Sequence, residues 1–416
     1  MVQAQLQKVK DVYTEYPRVF WILVVITFID RIGGSLLFPF FALYLTSKFS
    51  VGMADVGVLF ATFSLSSFAG SAVGGALTDR FGRKGIIIFG LFASSMSALA
   101  MGFTNSFQAF FVLAVFVGIL ADVSGPAHQA MVADILPENK RADGYGILRV
   151  AFNLSVTIGP AIGGLLAARS YLALFIADAA ISLLTVLLVA LFIPETKPEA
   201  RPGAPQLTVA SSFAGYGKVL RDTAFMLFLG AVLLQVFTYM NMNTTLGVYL
   251  RNEHGASEWH YGMLLSLNAA MVVFMQFPIT RRIKNFPPML MMALGTFLYA
   301  VGFAMYGFVS VYLMFVVAMV IITIGEMIVA PVSQALVASF APEDMRGRYM
   351  AVSGFSWGIP FAAGPYLAGL IIDGPNPNYL WYVAGFIGLL STLGFLSLQR
   401  MRTKNAASVA AVQESA

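Results

Sequence analysis

Six ionisable side chains stand inside stretches of sequence that are otherwise fit for hydrocarbon: Asp30 and Arg31, Asp122, Arg149, Asp178 and Glu326. A charge near a bilayer midplane is costly, and such residues usually face protein or a water-filled cavity and carry protons or pair with cations. At a rise of about 1.5 Å per residue, Asp30, Asp122 and Glu326 fall near the middles of their apolar stretches, so three acids and Arg31 share one layer. Desolvation favours the neutral form of a carboxyl group, whereas a guanidinium stays charged and favours the ionised form of a close partner. The chemistry this suggests is proton exchange. Glu326 or Asp122 would take a proton, release a bound solute as its charge vanishes, and lose the proton on the other side. Arg31 is expected to pair with Asp30 or Asp122. Buried structural hydrogen bonding stays open as an alternative for each acid. For Arg149, near a span end, snorkelling is expected, and for Asp178 helix packing.

A second polar group gathers at 235–244. Gln235 and Tyr239 are four residues apart and share a helix face, and Asn243 continues it by another turn, so the three could hydrogen-bond a solute. Loop solvation accounts for part of the same cluster. Met263, Met271 and Met275 fall at near-helical spacing and read as core filler, or as part of a cavity that accepts apolar cargo.

The elements that must position these residues are membrane helices. Of 416 residues 58% are hydrophobic and 11% charged, against about 25% charged in an ordinary soluble domain. Twelve stretches reach the length needed to cross a bilayer: 19–45, 54–78, 85–105, 108–134, 144–168, 171–193, 222–250, 258–280, 287–309, 311–338, 347–372 and 378–398. No alternating ten-residue pattern suggests a β-barrel. With the N-terminus inside, twenty basic residues fall in cytoplasmic segments and three, Lys48, Arg169 and Arg251, outside, which sets both termini in the cytoplasm and the chain in the cell membrane. The net charge of +5 follows from that bias, with the basic residues dispersed over inner loops and no sign of nucleic-acid binding. There is no cysteine, and His128, His254 and His260 lack metal-ligand spacing.

Residues 194–221, rich in proline, glycine and charge, read as a linker between a six-helix bundle at 1–193 and another at 222–398, followed by a cytoplasmic tail at 399–416. An internal repeat supports the division. HQAMVADILPENKRADGYG (128–146) runs parallel to SQALVASFAPEDMRGRYMA (333–351), and GPAIGGL (159–165) to GPYLAGL (364–370), at a constant offset of 205. Duplicated bundles suit a transporter that exposes a central site to either side in turn. At that offset Asp122 matches Met327, beside Glu326, so the two acids are near-equivalents.

GGALTDRFGRKG (74–85) resembles the signature between the second and third helices of the major facilitator superfamily, and SVTIGPAIGG (155–164) is similar to the antiporter signature of its twelve-span drug:proton branch. The resemblance, extended by span count, linker and half-repeat over nearly the whole chain, implies an all-α fold of twelve transmembrane helices in two pseudo-symmetric bundles. It implies that helices one, four, seven and ten surround a cavity, where the acids and Arg31 could meet. It makes Asp79, Arg80, Gly82, Arg83 and Lys84 a cytoplasmic gate, Asp79 meeting the N-terminus of helix eleven. A positive-inside anchor is the plainer account of the same charges. Glu326 in TIGEMIVAP also resembles the helix-ten acid of some multidrug antiporters. The pattern departs in three places: Ser155 replaces a glycine, RRIKNF (281–286) lacks the gate's aspartate and glycine, and FVGILADVSGP (116–126) has an acid where relatives have an arginine. Gly159, Pro160, Gly163 and Gly164, with Gly364 and Pro365 in the second half, offer small faces for close helix packing.

The function expected is therefore proton-coupled export of amphipathic small molecules, cationic ones among them, by alternating access, with Glu326, Asp122 and Asp30 as proton-coupling groups. Proton-coupled uptake of a solute, or flipping of a lipid or lipid-linked glycan, is the alternative. The expected driving force is the proton gradient, with no cofactor or metal. Expected partners are the solute, protons and membrane lipids, and one chain is long enough to enclose the pathway. No Walker motif points to ATP, and no bond-making chemistry to an enzyme.

Overall fold

The computed structural model describes residues 13–121, 123–196, 216–342 and 345–415. Among these every regular element is helical, and twelve helical spans are long and apolar enough to cross a membrane. In a bilayer core each backbone N–H and C=O must bond within its own segment, which is why so apolar a chain resolves into helices.

The chain divides into two compact units. The first comprises Met1–Ser50, Thr62–Pro202 and Ala256–Ala269. Its helices are α1 (Arg18–Leu37), α2 (Phe41–Phe49), most of α3 (Met53–Phe81), α4 (Arg83–Phe103), α5 (Phe107–Ala121), α6 (Gly125–Ile135), α7 (Glu138–Ala167) and α8 (Tyr171–Phe192). Pro39 divides the first span, with a 3-10 turn at Phe38–Phe40 between α1 and α2, because proline lacks the N–H and its ring crowds the preceding turn. The stretch expected as one fourth span is two helices, α5 and α6, on either side of Asp122. Asp122 itself lies outside the described residues.

The second unit comprises Val51–Ala61, Gly203–Gly255 and Ala270–Ala416. It holds α9 (Tyr216–Arg221), α10 (Thr223–Thr244), α11 (Leu246–His254), most of α12 (Glu258–Ile283), α13 (Pro288–Tyr306), α14 (Tyr312–Phe340), α15 (Arg346–Ile372) and α16 (Tyr379–Ser415). Pro278, Pro331, Pro360 and Pro365 lie inside helices without ending them, as membrane helices tolerate. The helix α16 runs on to Ser415, through the segment expected as a tail.

The units do not follow the halves of the chain throughout, since 51–61 belongs with the second and 256–269 with the first. Glycines explain both departures. In the second unit Gly57 faces the backbone of Pro365 and Tyr366, Gly369 faces Met53 and Ala54, and a side chain at either would collide. In the first, a methyl on Gly262 would lie 2.7 Å from the Pro160 carbonyl, and one on Gly164 3.2 Å from that of Glu258. The Tyr171 hydroxyl donates to Glu258 Oε1 at 2.6 Å, and Phe40 meets Tyr261 edge-on at 5.6 Å.

The repeat is visible in the hydrogen bonds. Tyr44 donates to the Met101 carbonyl at 3.1 Å, and 205 residues on Tyr249 lies 3.1 Å from the Tyr306 carbonyl. Phe20 and Phe225, also equivalent, are both fully buried.

Candidate functional site

In the second unit, α14 carries Glu326 and α10 carries Tyr239, and the Tyr239 hydroxyl donates to Glu326 Oε1 at 2.9 Å. Two small residues make room for the pair. A methyl on Gly325 would stand 2.7 Å from the Gly295 carbonyl, so α13 and α14 approach backbone to backbone. That approach sets the Tyr299 ring beside Tyr239, centroids 5.6 Å apart, while Trp357 from α15 meets Tyr239 edge-on at 6.3 Å. Tyr299 is 2% exposed and Trp357 50%, so the acid lies between a closed aromatic wall and an open one. From α12, the Gln276 amide donates to the Met327 carbonyl at 2.9 Å.

Of the other polar residues expected on this face, Gln235 is 3% exposed and buried in the unit. Asn243 is partly buried two turns from Gln235. Asn241 turns back on its own helix, donating to the Phe237 carbonyl and accepting from Thr245. Sequence reasoning missed Tyr299, Trp357 and Gln276. Their only signal is residue type, an aromatic or amide in an apolar helix, which many residues here share.

In the first unit Arg31 pairs with Asp30, Nε to Oδ2 at 3.9 Å, with its own side chain 53% exposed. Asp178 packs against the same helix, since a methyl on Gly33 would lie 2.5 Å from Asp178 Oδ1.

At one end of this unit the backbone turns at Gly82, φ 94°, a conformation that favours glycine. Glu195 closes the turn, accepting from the backbone N–H of Arg83 at 2.8 Å and of Lys84 at 3.2 Å, where a helix start has free donors. Arg83 Nε donates to Asp134 Oδ2 at 2.9 Å, and the Thr196 hydroxyl reaches the same oxygen at 3.3 Å. Lys84 donates to the Ala190 carbonyl, and Arg80 lies over the Phe81 ring. The side chain of Asp79 is outside the described residues. Glu195 and Asp134 went unassigned from sequence, although both follow apolar runs where an acid has a reason to stay.

The six glycines and prolines expected to pack helices do different work. Gly159 and Gly163 lie against Ser35 and Leu36 of α1, Gly164 and Pro160 against α12, and Pro365 against Gly57. A methyl on Gly364 would meet, among the described residues of neighbouring helices, nothing nearer than a Phe237 ring carbon at 3.7 Å, an ordinary contact. Among the described residues no group of three His, Asp or Glu side chains is arranged to hold a metal ion.

A relative in Planococcus maritimus named Na(+), Li(+), K(+)/H(+) antiporter is 29% identical over 351 residues, 78% of this chain and 82% of its own. Among solved structures, a POT family transporter in complex with a thioalcohol-conjugated peptide superimposes with a TM-score of 0.76 at 15% identity, covering 92% of this chain and 96% of its own. The nucleoside transporter NupG gives 0.74 at 11% identity, covering 92% of this chain and 99% of its own. The family model described as Major Facilitator Superfamily matches residues 23–257 and 230–415. The chain belongs to that superfamily: it is a multi-pass membrane protein that transports small molecules, and not an enzyme.

Proposed function

We propose that this chain couples proton movement to transport of a small solute, with Glu326 as the proton-exchanging carboxyl and Tyr239 as its partner. The Tyr239 to Glu326 hydrogen bond carries the reading. A hydroxyl both donates and accepts, so Tyr239 donates to the ionised carboxylate and can turn to accept from the protonated acid. Neither state leaves a buried polar group unpaired, which would cost about 1–3 kcal/mol. Asn243, partly buried on the same helix, is the solute contact we assign, Gln235 being closed off inside the unit, and Asp79 to Lys84 are the gate on the side of the basic loops, which we take as cytoplasmic.

Solute and proton moving in the same direction is the coupling we take first. Transporters named for peptides and nucleosides are built on this fold, and hydroxyl and amide groups around Glu326 suit a polar solute. Exchange of an amphipathic cation for protons is the second reading. Exchange for protons is favoured by the Planococcus relative, named as an antiporter of alkali cations, and an organic cation by the π faces of Tyr239, Tyr299 and Trp357.

Proteoliposomes with pH gradients of either sign, loaded with labelled dipeptide, nucleoside or cationic dye, test both. Accumulation with the proton supports symport, and against it antiport. Glu326→Gln is expected to abolish gradient-driven accumulation with the fold intact by circular dichroism. Tyr239→Phe should retain coupling at a rate lowered about ten- to a hundredfold, the worth of one hydrogen bond to an ionised group. Undiminished coupling in Glu326→Gln would sink the assignment.

A further inference from the structure

The first unit holds a second acid site of different construction. Asp178 on α8 is 9% exposed, and its carboxylate has no hydrogen-bond donor among the described residues. It points at α1, where Gly33 leaves the space its oxygen fills. One turn earlier on α1, on the same helix face as Gly33, stands Asp30, its side chain 26% exposed. Two carboxylates in such surroundings do not both stay charged unless a cation lies with them. Arg31 supplies little: it reaches Asp30 only at 3.9 Å and is half exposed.

The second unit shows that shared packing does not require this arrangement. At the offset of 205, Asp30, Gly33 and Asp178 correspond to Gln235, Thr238 and Val383. There the threonine hydroxyl occupies the space and donates to the Ala384 carbonyl at 3.1 Å. At these equivalent positions the second unit has neither the glycine nor either acid.

We propose that Asp30 and Asp178, with the space left by Gly33, form a monovalent-cation site in the first unit, occupied by a proton or an alkali-metal ion. The proposal rests on the reading of the chain as a cation-coupled transporter and gives it a coupling site separate from Glu326. Asp30 is the partner nearer the open side, and Asp178 the buried end of the site. The other groups in reach are few. From α4 the Ser95 hydroxyl is committed to the Ala179 carbonyl at 3.0 Å.

The test uses full-length protein in detergent at low buffer strength. Sodium, lithium, potassium or choline chloride is added while released protons and the infrared band of protonated carboxyl groups are recorded. An alkali ion entering the site displaces up to about one proton per chain, because the incoming charge replaces the one held there. Release with an alkali ion but not choline, lost in Asp178→Asn and Asp30→Asn, identifies an alkali site. No release, with a protonated-carboxyl band that disappears in both variants, identifies a proton site. Gly33→Ala retains both acids but displaces Asp178, and should weaken either signal severalfold. The proposal is overturned by absence of both signals in the parent protein, or by signals unchanged in the three variants. Repeating the measurement in Glu326→Gln separates the two sites: survival of the signals there, whatever becomes of coupled transport, keeps this site apart from the Glu326 reading.

Discussion

His254 ends α11 with its ring edge-on to Tyr249 and Phe315, at 5.1 and 4.8 Å, and its Nε2 is buried without a hydrogen-bond partner among the described residues. Burial holds its pKa below the ordinary imidazole value of 6.5, and neighbouring Glu253 opposes this more weakly. A base with a lowered folded-state pKa binds more protons when unfolded. Its contribution is complete above the unfolded value and is lost as pH falls through it toward the folded one. Thermal unfolding in detergent should therefore drop in temperature between about pH 7 and about pH 5, and His254→Phe should flatten that slope. A parent profile already flat over the window would remove the role. Glu326 and Tyr239 were each legible as candidates because a polar group in hydrocarbon needs a reason. Their pairing across 87 positions was not, since it depends on how α10 and α14 are turned.

Helices are joined here by small residues and caps as much as by apolar faces. Asp373, following α15, accepts from the first backbone N–H groups of α3: Met53 at 2.9 Å and Ala54 at 2.8 Å. Such donors have no partner within their own helix, and an aspartate there also meets the positive end of the helix dipole. Asp373→Ala should cost about 1 kcal/mol, the usual value of a lost N-terminal cap, read as a lower unfolding temperature in detergent. An unchanged temperature would mean that water replaces the carboxylate without loss. From sequence the glycines of 159–164 and 364–370 looked interchangeable. In the structure Gly159 and Gly163 touch α1, whereas Gly364 touches little and Gly369, five positions on, makes the close approach. Equivalent residues diverge because close packing depends on the facing helix as well as on the glycine.

Two units of matched internal register make up the chain, with Asp30 on α1 and Asp178 on α8 in the first and Glu326 on α14 in the second. Which side of the membrane each loop occupies follows, on our proposal, from the basic residues. The absence of native cysteine makes this simple to check. In intact cells a membrane-impermeant maleimide should label Asn105→Cys, and Lys284→Cys only after permeabilisation; both native positions are exposed. The reverse pattern would invert the topology and exchange the roles of the two faces.

Residue order alone is enough for the helical class, the number of spans, the repeat and the acids that have to be accounted for. These depend on hydropathy, on the length needed to cross a bilayer and on the cost of burying charge, all properties of short stretches. Tertiary structure decided which side chains meet. It set Tyr239 on Glu326, Asp178 against Gly33, Glu195 over the start of α4 and Asp373 over the start of α3. Those pairings depend on helix rotation and on backbone approach allowed by a facing glycine, and no local pattern in the chain encodes either.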